Sequence, residues 1–123
     1  MGVLDNKVAV VTGVGSGIGK AISTAFADEG ASLGVGDINE DLLSKTTNDL
    51  KNKSTNITSI TTDVSSEDQV KELIDETVRA YGKLDIIVNN VSVAIGGYPI
   101  TDMSNEDWQK IIGINFSSVF YGC

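Results

Sequence analysis

A parallel α/β sheet with helices on both faces is the fold class predicted for this chain, and three observations predict it. Hydrophobic residues switch repeatedly between short apolar runs and stripes of helical period. The runs are apolar nearly throughout, as in strands buried on both faces. Strand and helix then alternate four times with no linker, repeat or low-complexity stretch, the order that right-handed βαβ crossovers produce. The 123 residues, 41% hydrophobic and 21% charged, suffice for one folded domain over 1–123 and are too few for two.

Each element has its own justification. Val8-Ala9-Val10-Val11 is the first strand. Ile18, Ile22, Ala25 and Phe26 then share one helical face, and Gly30 stands where a helix end favours a left-handed residue. Ser32 to Asp37 forms the second strand. Asn39 caps the next helix, Glu40 and Asp41 occupy its first turn, and Leu42, Leu43, Thr46 and Leu50 form its stripe. Lys51 and Lys53 lie at its C-terminal end, where the helix dipole favours cations. The third strand runs from Ile57 to Asp63. Ser66 and Gln69 make a capping box before the stripe Val70, Leu73, Ile74, Val78 and Tyr81, which Gly82 ends. Asp85 to Asn89 is the fourth strand, followed by a loop with Gly96, Gly97 and Pro99. Ser104 with Asp107 opens a last helix whose stripe is Trp108, Ile111, Ile112, Asn115 and Val119. Asn115 therefore has a partly buried amide in this reading, which without partners would cost ~1–3 kcal/mol.

Composition excludes several classes of function. Nine basic against 17 acidic residues give a net charge of −8, which repels nucleic acid and anionic membranes. With no histidine and one cysteine, Cys123, the chain has neither His-based catalysis, a Cys/His metal site nor a disulfide framework of its own. No apolar run approaches the ~18 residues of a membrane span. Met1 to Lys7 lacks the apolar core of a signal peptide, and Asn6 stands where myristoylation requires Ser or Thr. The expectation is a cytoplasmic protein, in which the sequons at Asn52, Asn56, Asn90 and Asn115 are chance matches.

The strongest local signal is Thr12-Gly13-Val14-Gly15-Ser16-Gly17-Ile18-Gly19, between a buried strand and a helix. Such a turn suits a dinucleotide: one glycine permits the bend, one the approach of a pyrophosphate, and one close helix–strand packing. The helix N-terminus adds free N–H groups and partial positive charge. The spacing Gly13-x-x-x-Gly17-x-Gly19 fits throughout, whereas Gly13-x-Gly15-x-x-Ile18 breaks at its third place. A P-loop fails, because Ala21 follows Gly19-Lys20 and the first glycine would fall on Val14. Asp37 ends the second strand, where a carboxylate accepts from ribose hydroxyls and repels a 2′-phosphate. Neither Ser16 nor Ile38 supplies a compensating positive charge, so NAD is expected over NADP. Asp37 could instead merely close the strand or cap the next helix.

Thr12-Gly13-x-x-x-Gly17-x-Gly19, Asp63-Val64, Asn89-Asn90 and Asn115, in that order across the chain, resemble the short-chain dehydrogenase/reductase family. The resemblance implies a Rossmann-like sheet of order 3-2-1-4, truncated after about four strands. It implies that Gly13, Ser16, Gly17, Ile18 and Gly19 line a pyrophosphate and that Asp63 and Val64 hold adenine. Asn89 and Asn90 would pass beneath the cofactor near its ribose, and Ile114 is a weaker cofactor-side candidate. Asn115 would be the first member of a catalytic tetrad, anchoring a water in a proton relay. One departure lies inside a motif: the family's Asn-Asn-Ala-Gly reads Asn89-Asn90-Val91-Ser92. Ser92 either weakens cofactor affinity, or shifts the loop, or is tolerated.

The family's hydride transfer between a nicotinamide and an alcohol or carbonyl carbon needs a serine and a Tyr-x-x-x-Lys pair. Tyr81 is followed four places on by Asp85, Tyr98 by Asp102, and Tyr121 by nothing within the chain. The expectation is the NAD-binding half of a short-chain oxidoreductase acting on a small alcohol or carbonyl compound, homo-oligomeric at full length and without turnover as it stands. Two other readings are a non-catalytic NAD-binding or oligomer-assembly module and a methyltransferase-type sheet holding S-adenosylmethionine. Asn89-Asn90 and Asn115 argue against the latter.

Overall fold

The computed structural model describes residues 2–123. In chain order the elements are β1 (Val8–Thr12), α1 (Gly17–Asp28), β2 (Ser32–Asp37), α2 (Glu40–Lys51), β3 (Ile57–Thr61), α3 (Glu67–Tyr81), β4 (Ile86–Val88), α4 (Asn105–Ile111) and α5 (Ser118–Gly122). A π-helical turn over Ile112–Ser117 joins the last two helices. The four strands form one sheet in the order β3-β2-β1-β4, all parallel. Val8 stands opposite Ser32, Leu33 opposite Ile57, and Ala9 opposite Ile86. No helix of the described residues is long and apolar enough to cross a membrane.

Alternation along β1 and β2 divides the interior into two layers. Ala9, Val11, Leu33 and Val35 face one layer, where Leu43 and Leu50 of α2 meet Ile22 and Phe26 of α1. The opposite face of β2 carries Gly34 and Gly36. A Cβ at Gly34 would lie 1.8 Å from Thr77 Oγ1, and one at Gly36 would lie 2.8 Å from Leu73 Cδ2. The missing side chains let α3 settle directly on the strand. Two of the 13 glycines thus serve packing alone.

Packing also shifts three helix faces from their expected stripes. In α3 the buried residues are Val70, Leu73 and Thr77, whereas Val78 is 37% exposed. Thr77 faces the glycine-lined strand, and its hydroxyl donates to Leu73 O at 2.7 Å, so burial leaves no polar atom unpaired. In α1 the expected Ile18 is 72% exposed and Ala25 is exposed. The residues drawn inward are Gly19 and Ser23, whose small size permits close approach to the preceding turn. The last helix runs on without a break but carries a π turn in its middle. The wider π turn rotates the face beyond it, so that Asn115 and Val119 are exposed and Ser118 and Gly122 are buried instead, while Trp108 ahead of the turn is exposed as well.

Strand ends stop short where side chains take over backbone pairing. Asp85 N donates to Val8 O at 2.9 Å, while Val8 N donates to the Asp85 carboxylate at 2.8 Å, so β4 begins only at Ile86. That backbone donor first, and Lys83 second, hold the Asp85 carboxyl below its ordinary value. β3 ends at Thr61 because Gln69 Oε1 accepts from Asp63 N at 2.8 Å. Gln69 therefore does not complete the expected capping box on Ser66 N, although Ser66 Oγ does accept from Gln69 N. The caps at Asn39 and Ser104 form as expected, and Gly82 ends α3 at φ +84°.

Candidate functional site

The C-terminal ends of the strands meet in one cleft of about 290 Å³. Its walls come from the β1–α1 turn (Gly13, Ser16), the end of β2 (Asp37, Ile38), the segment after β3 (Thr62, Asp63, Val64) and the segment after β4 (Asn90 to Val93), with Ile114 from the π turn. A crevice outside the carboxyl ends of parallel strands is where this architecture binds ligands.

The turn is built by glycines with distinct physical tasks. Gly13 and Gly17 have φ of +71° and +59°, a region L side chains rarely adopt. Gly19 is buried beneath the turn, and a Cβ there would stand 2.1 Å from Gly13 O. Thr46 Oγ1 of α2 donates to Val14 O at 3.1 Å, and Gly13 N donates to Gly36 O at 2.8 Å, so the turn is tied to its neighbours. The space a Cβ would take at Gly17 is open, leaving backbone accessible to a ligand at the start of α1.

Thr12 joins the turn to the segment after β4. Its hydroxyl donates to Val88 O at 3.3 Å and accepts from Asn90 N at 3.1 Å. The Asn90 amide in turn donates to Gly13 O at 3.3 Å. Val91 Cγ2 lies 3.0 Å from where a Gly13 Cβ would stand. Asn89 is half-buried outside the cleft wall, against Gly122 of α5, where a Cβ would meet its Oδ1 at 2.0 Å.

The carboxylate of Asp37 is half-buried and accepts two backbone donors, Gly15 N at 2.9 Å and Asn39 N at 2.8 Å. Asp63 Oδ1 accepts from Ser65 N at 2.9 Å and Ser65 Oγ at 2.6 Å. Both acids line the cleft, and none of the lining residues is basic. The cleft therefore disfavours extra negative charge at this end while offering N–H groups at the glycine turn.

Asn115 departs from the sequence expectation. It is exposed rather than partly buried, because the π turn swings it out of the apolar stripe. Its amide is nevertheless bonded twice to one residue: Val93 N donates to Oδ1 and Nδ2 donates to Val93 O, each at 2.7 Å. This clasp holds the near end of the loop that walls the cleft. At its far end Tyr98 OH donates to Asp107 at 3.1 Å, and desolvation with that carboxylate raises the phenol above its ordinary value.

Seven of the residues singled out from sequence come together in the cleft wall: Gly13, Ser16, Asp37, Asp63, Val64, Asn90 and Ile114. Gly17, Ile18 and Gly19 lie behind it in the turn and helix start, and Asn115 lies on the far side of the loop it clasps. Ile38, Thr62, Val91, Ser92 and Val93 complete the wall. Ile38 and Thr62 each adjoin a motif residue at a strand end, and Val91 to Val93 continue the Asn89-Asn90 motif, so position in sequence is the signal that marks them.

Comparison with known proteins agrees with this geometry. The short chain dehydrogenase family model matches residues 7–123, and the chain belongs to that family. It is 37% identical over 120 residues to a 3beta-hydroxysteroid dehydrogenase of Eggerthella lenta, covering 98% of this chain and 46% of that protein. It is 34% identical to a 3-oxoacyl-acyl-carrier-protein reductase of Thermotoga maritima, covering 95% and 47%. A short-chain dehydrogenase/reductase from Burkholderia phymatum, crystallised with NAD, superposes with a TM-score of 0.93 at 36% identity, covering 99% of this chain and 43% of that one. The chain thus spans about half the length of the curated relatives it matches. Membership of the short chain dehydrogenase family and the Rossmann-like sheet are established by these matches.

Proposed function

We propose that residues 1–123 are the NAD-binding portion of a short-chain oxidoreductase domain that transfers hydride between NAD(H) and a small alcohol or carbonyl compound. The observation that carries this reading is Asp37, anchored at the end of the cleft and bonded to the tip of the glycine-rich turn. The turn fits a pyrophosphate: Gly13 and Gly17 need positive φ, and Gly17 leaves its backbone uncovered. In this role Gly13, Ser16, Gly17, Ile18 and Gly19 take the phosphates. Asp37 accepts from the adenosine ribose, while Asp63 and Val64 flank the adenine. Asn90 and Ile114 form the floor toward the second ribose, with Asn89 packed behind them against Gly122 of α5. Two carboxylates and no cation in the cleft wall favour NAD over NADP. The cofactor supplies the hydride or accepts it; the chain's own residues bind and orient it.

Asn115 is the proposed catalytic-side residue. Its two bonds to Val93 leave one amide hydrogen and one oxygen lone pair, which suits the holding of a water in a proton relay. The tyrosine, lysine and serine that complete such chemistry are not in this sequence, so turnover by this chain alone is not expected. The working protein is proposed to be cytoplasmic and homo-oligomeric.

Calorimetric titration with NAD, NADP and S-adenosylmethionine tests the reading. NAD should bind more than ~10-fold tighter than NADP, the scale of one unfavourable like-charge contact. Equal affinity for the two, or binding of S-adenosylmethionine instead, overturns it. A second reading, an assembly module, is favoured by the apolar face of the last helix, where Phe116 and Phe120 are 73% and 75% exposed. Oligomers in sedimentation together with no NAD binding would select it.

A further inference from the structure

Asp37 is bonded in a way that a ribose ligand alone does not require. Each carboxylate oxygen already accepts a backbone N–H, Oδ2 from Gly15 and Oδ1 from Asn39. A Cβ on Gly15 would stand 2.8 Å from Oδ2, so the carboxylate occupies the space a side chain there would need. Earlier in the turn, Gly13 N and Val14 N both donate to Gly36 O, at 2.8 and 3.4 Å. Beyond Gly15 the fastening stops: Ser16 makes no side-chain cap, and among the described residues Gly15 N to Asp37 is the last bond between the turn and β2 before α1 begins.

We infer that Asp37 is a positioning residue of the glycine-rich turn, stapling Gly15 to the end of β2 whether or not a cofactor is bound. A charge-assisted hydrogen bond to backbone N–H is stronger than a neutral one. Each carboxylate oxygen keeps a further acceptor site, so the staple and a ribose contact coexist. The ribose contact rests on the proposed function; the staple does not. Removing the carboxylate then has two opposed effects on a phosphate-bearing ligand. It lifts a like-charge repulsion, and it releases the surface on which the phosphates sit.

The test uses Asp37→Ala and Asp37→Asn, both neutral, the second keeping one amide oxygen as acceptor. Amide hydrogen exchange without ligand should rise about tenfold at Gly15 in Asp37→Ala and by less in Asp37→Asn, the scale of one lost charge-assisted bond. Val10 and Leu33 amides should stay unchanged, which separates local release from global unfolding. If Asp37→Ala does not fold, Asp37→Asn against the parent chain decides. Calorimetry with NADP should then rank Asp37→Asn above Asp37→Ala, although charge alone makes them equal. Gly15 exchange within twofold of the parent, or equal NADP affinity of the two variants, overturns the staple. Failure of the parent chain to bind NAD, with Gly15 exchange still responding, would refute the proposed function and leave the staple standing.

Discussion

Replacing Gly19 with alanine puts a methyl group where the structure has none to spare. The added Cβ would stand 2.1 Å from Gly13 O and 2.6 Å from Asn90 Nδ2, against an ordinary contact of 3.4–4 Å. Neither neighbour can yield cheaply. Gly13 O is backbone at a left-handed residue, and the Asn90 amide is its hydrogen-bond donor. The start of α1 must therefore retreat from the turn by more than ~1 Å, an overpacking strain of about 1–3 kcal/mol. Alanine's better helix propensity offsets up to ~1 kcal/mol of this. The net loss of about 1–2 kcal/mol lowers the melting temperature by roughly 4–8 °C in a domain of this size. Thermal unfolding by circular dichroism measures that loss, and NAD titration measures the displaced turn. Gly17→Ala is the control: the space there is open, so only the cost of positive φ remains, about 1–2 kcal/mol. A Gly19→Ala chain that melts within 1 °C of the parent (roughly 0.25 kcal/mol) and binds NAD equally would refute the packing argument.

Gly34→Ala should destabilise by ~1–3 kcal/mol in urea unfolding, because its Cβ would meet Thr77 Oγ1. Adding Thr77→Ala should recover part of the loss, the sign of direct coupling; strictly additive losses would contradict contact between α3 and β2. Asn115→Leu removes both bonds to Val93 and should raise Val93 amide exchange roughly fivefold, the equivalent of about 1 kcal/mol. Unchanged exchange would show that the loop is held otherwise. Asp85 titrates below its ordinary value, so the unfolded state takes up the proton first. Its contribution is present above the unfolded value of 3.8 and disappears as pH falls through the lower folded value. Asp85→Asn should therefore reduce the acid-side loss of melting temperature below about pH 4, and identical acid limbs would count against the Val8 clamp.

Strand and helix existence and the glycine turn were legible because they depend on local properties, namely apolar runs, caps and glycine spacing, whereas the sheet order followed from the family resemblance. Ser32 to Asp37 is a strand to the residue, and Asn39, Ser66 and Ser104 cap their helices. Seven cleft residues were legible too, since parallel strands deliver their C-terminal ends to one edge. Element ends were not, because Gln69 and Asp85 compete for backbone groups from other segments.

The order of residues alone gives the βαβ alternation, an acid at the end of the second strand with no cation at Ser16 or Ile38, and the absence of a Tyr-x-x-x-Lys pair. Tertiary structure alone decided which helix face goes inward. Gly34 and Gly36 accept Thr77 and Leu73 at distances no pattern along one helix reports. It also decided that Asn115 leaves the apolar stripe through a π turn to clasp Val93, and that Asp37 reaches across to Gly15. Hydrophobic period is a property of one segment, whereas these contacts join residues at least 22 apart in sequence. Which small or polar side chain goes inward is settled by the space its partner leaves.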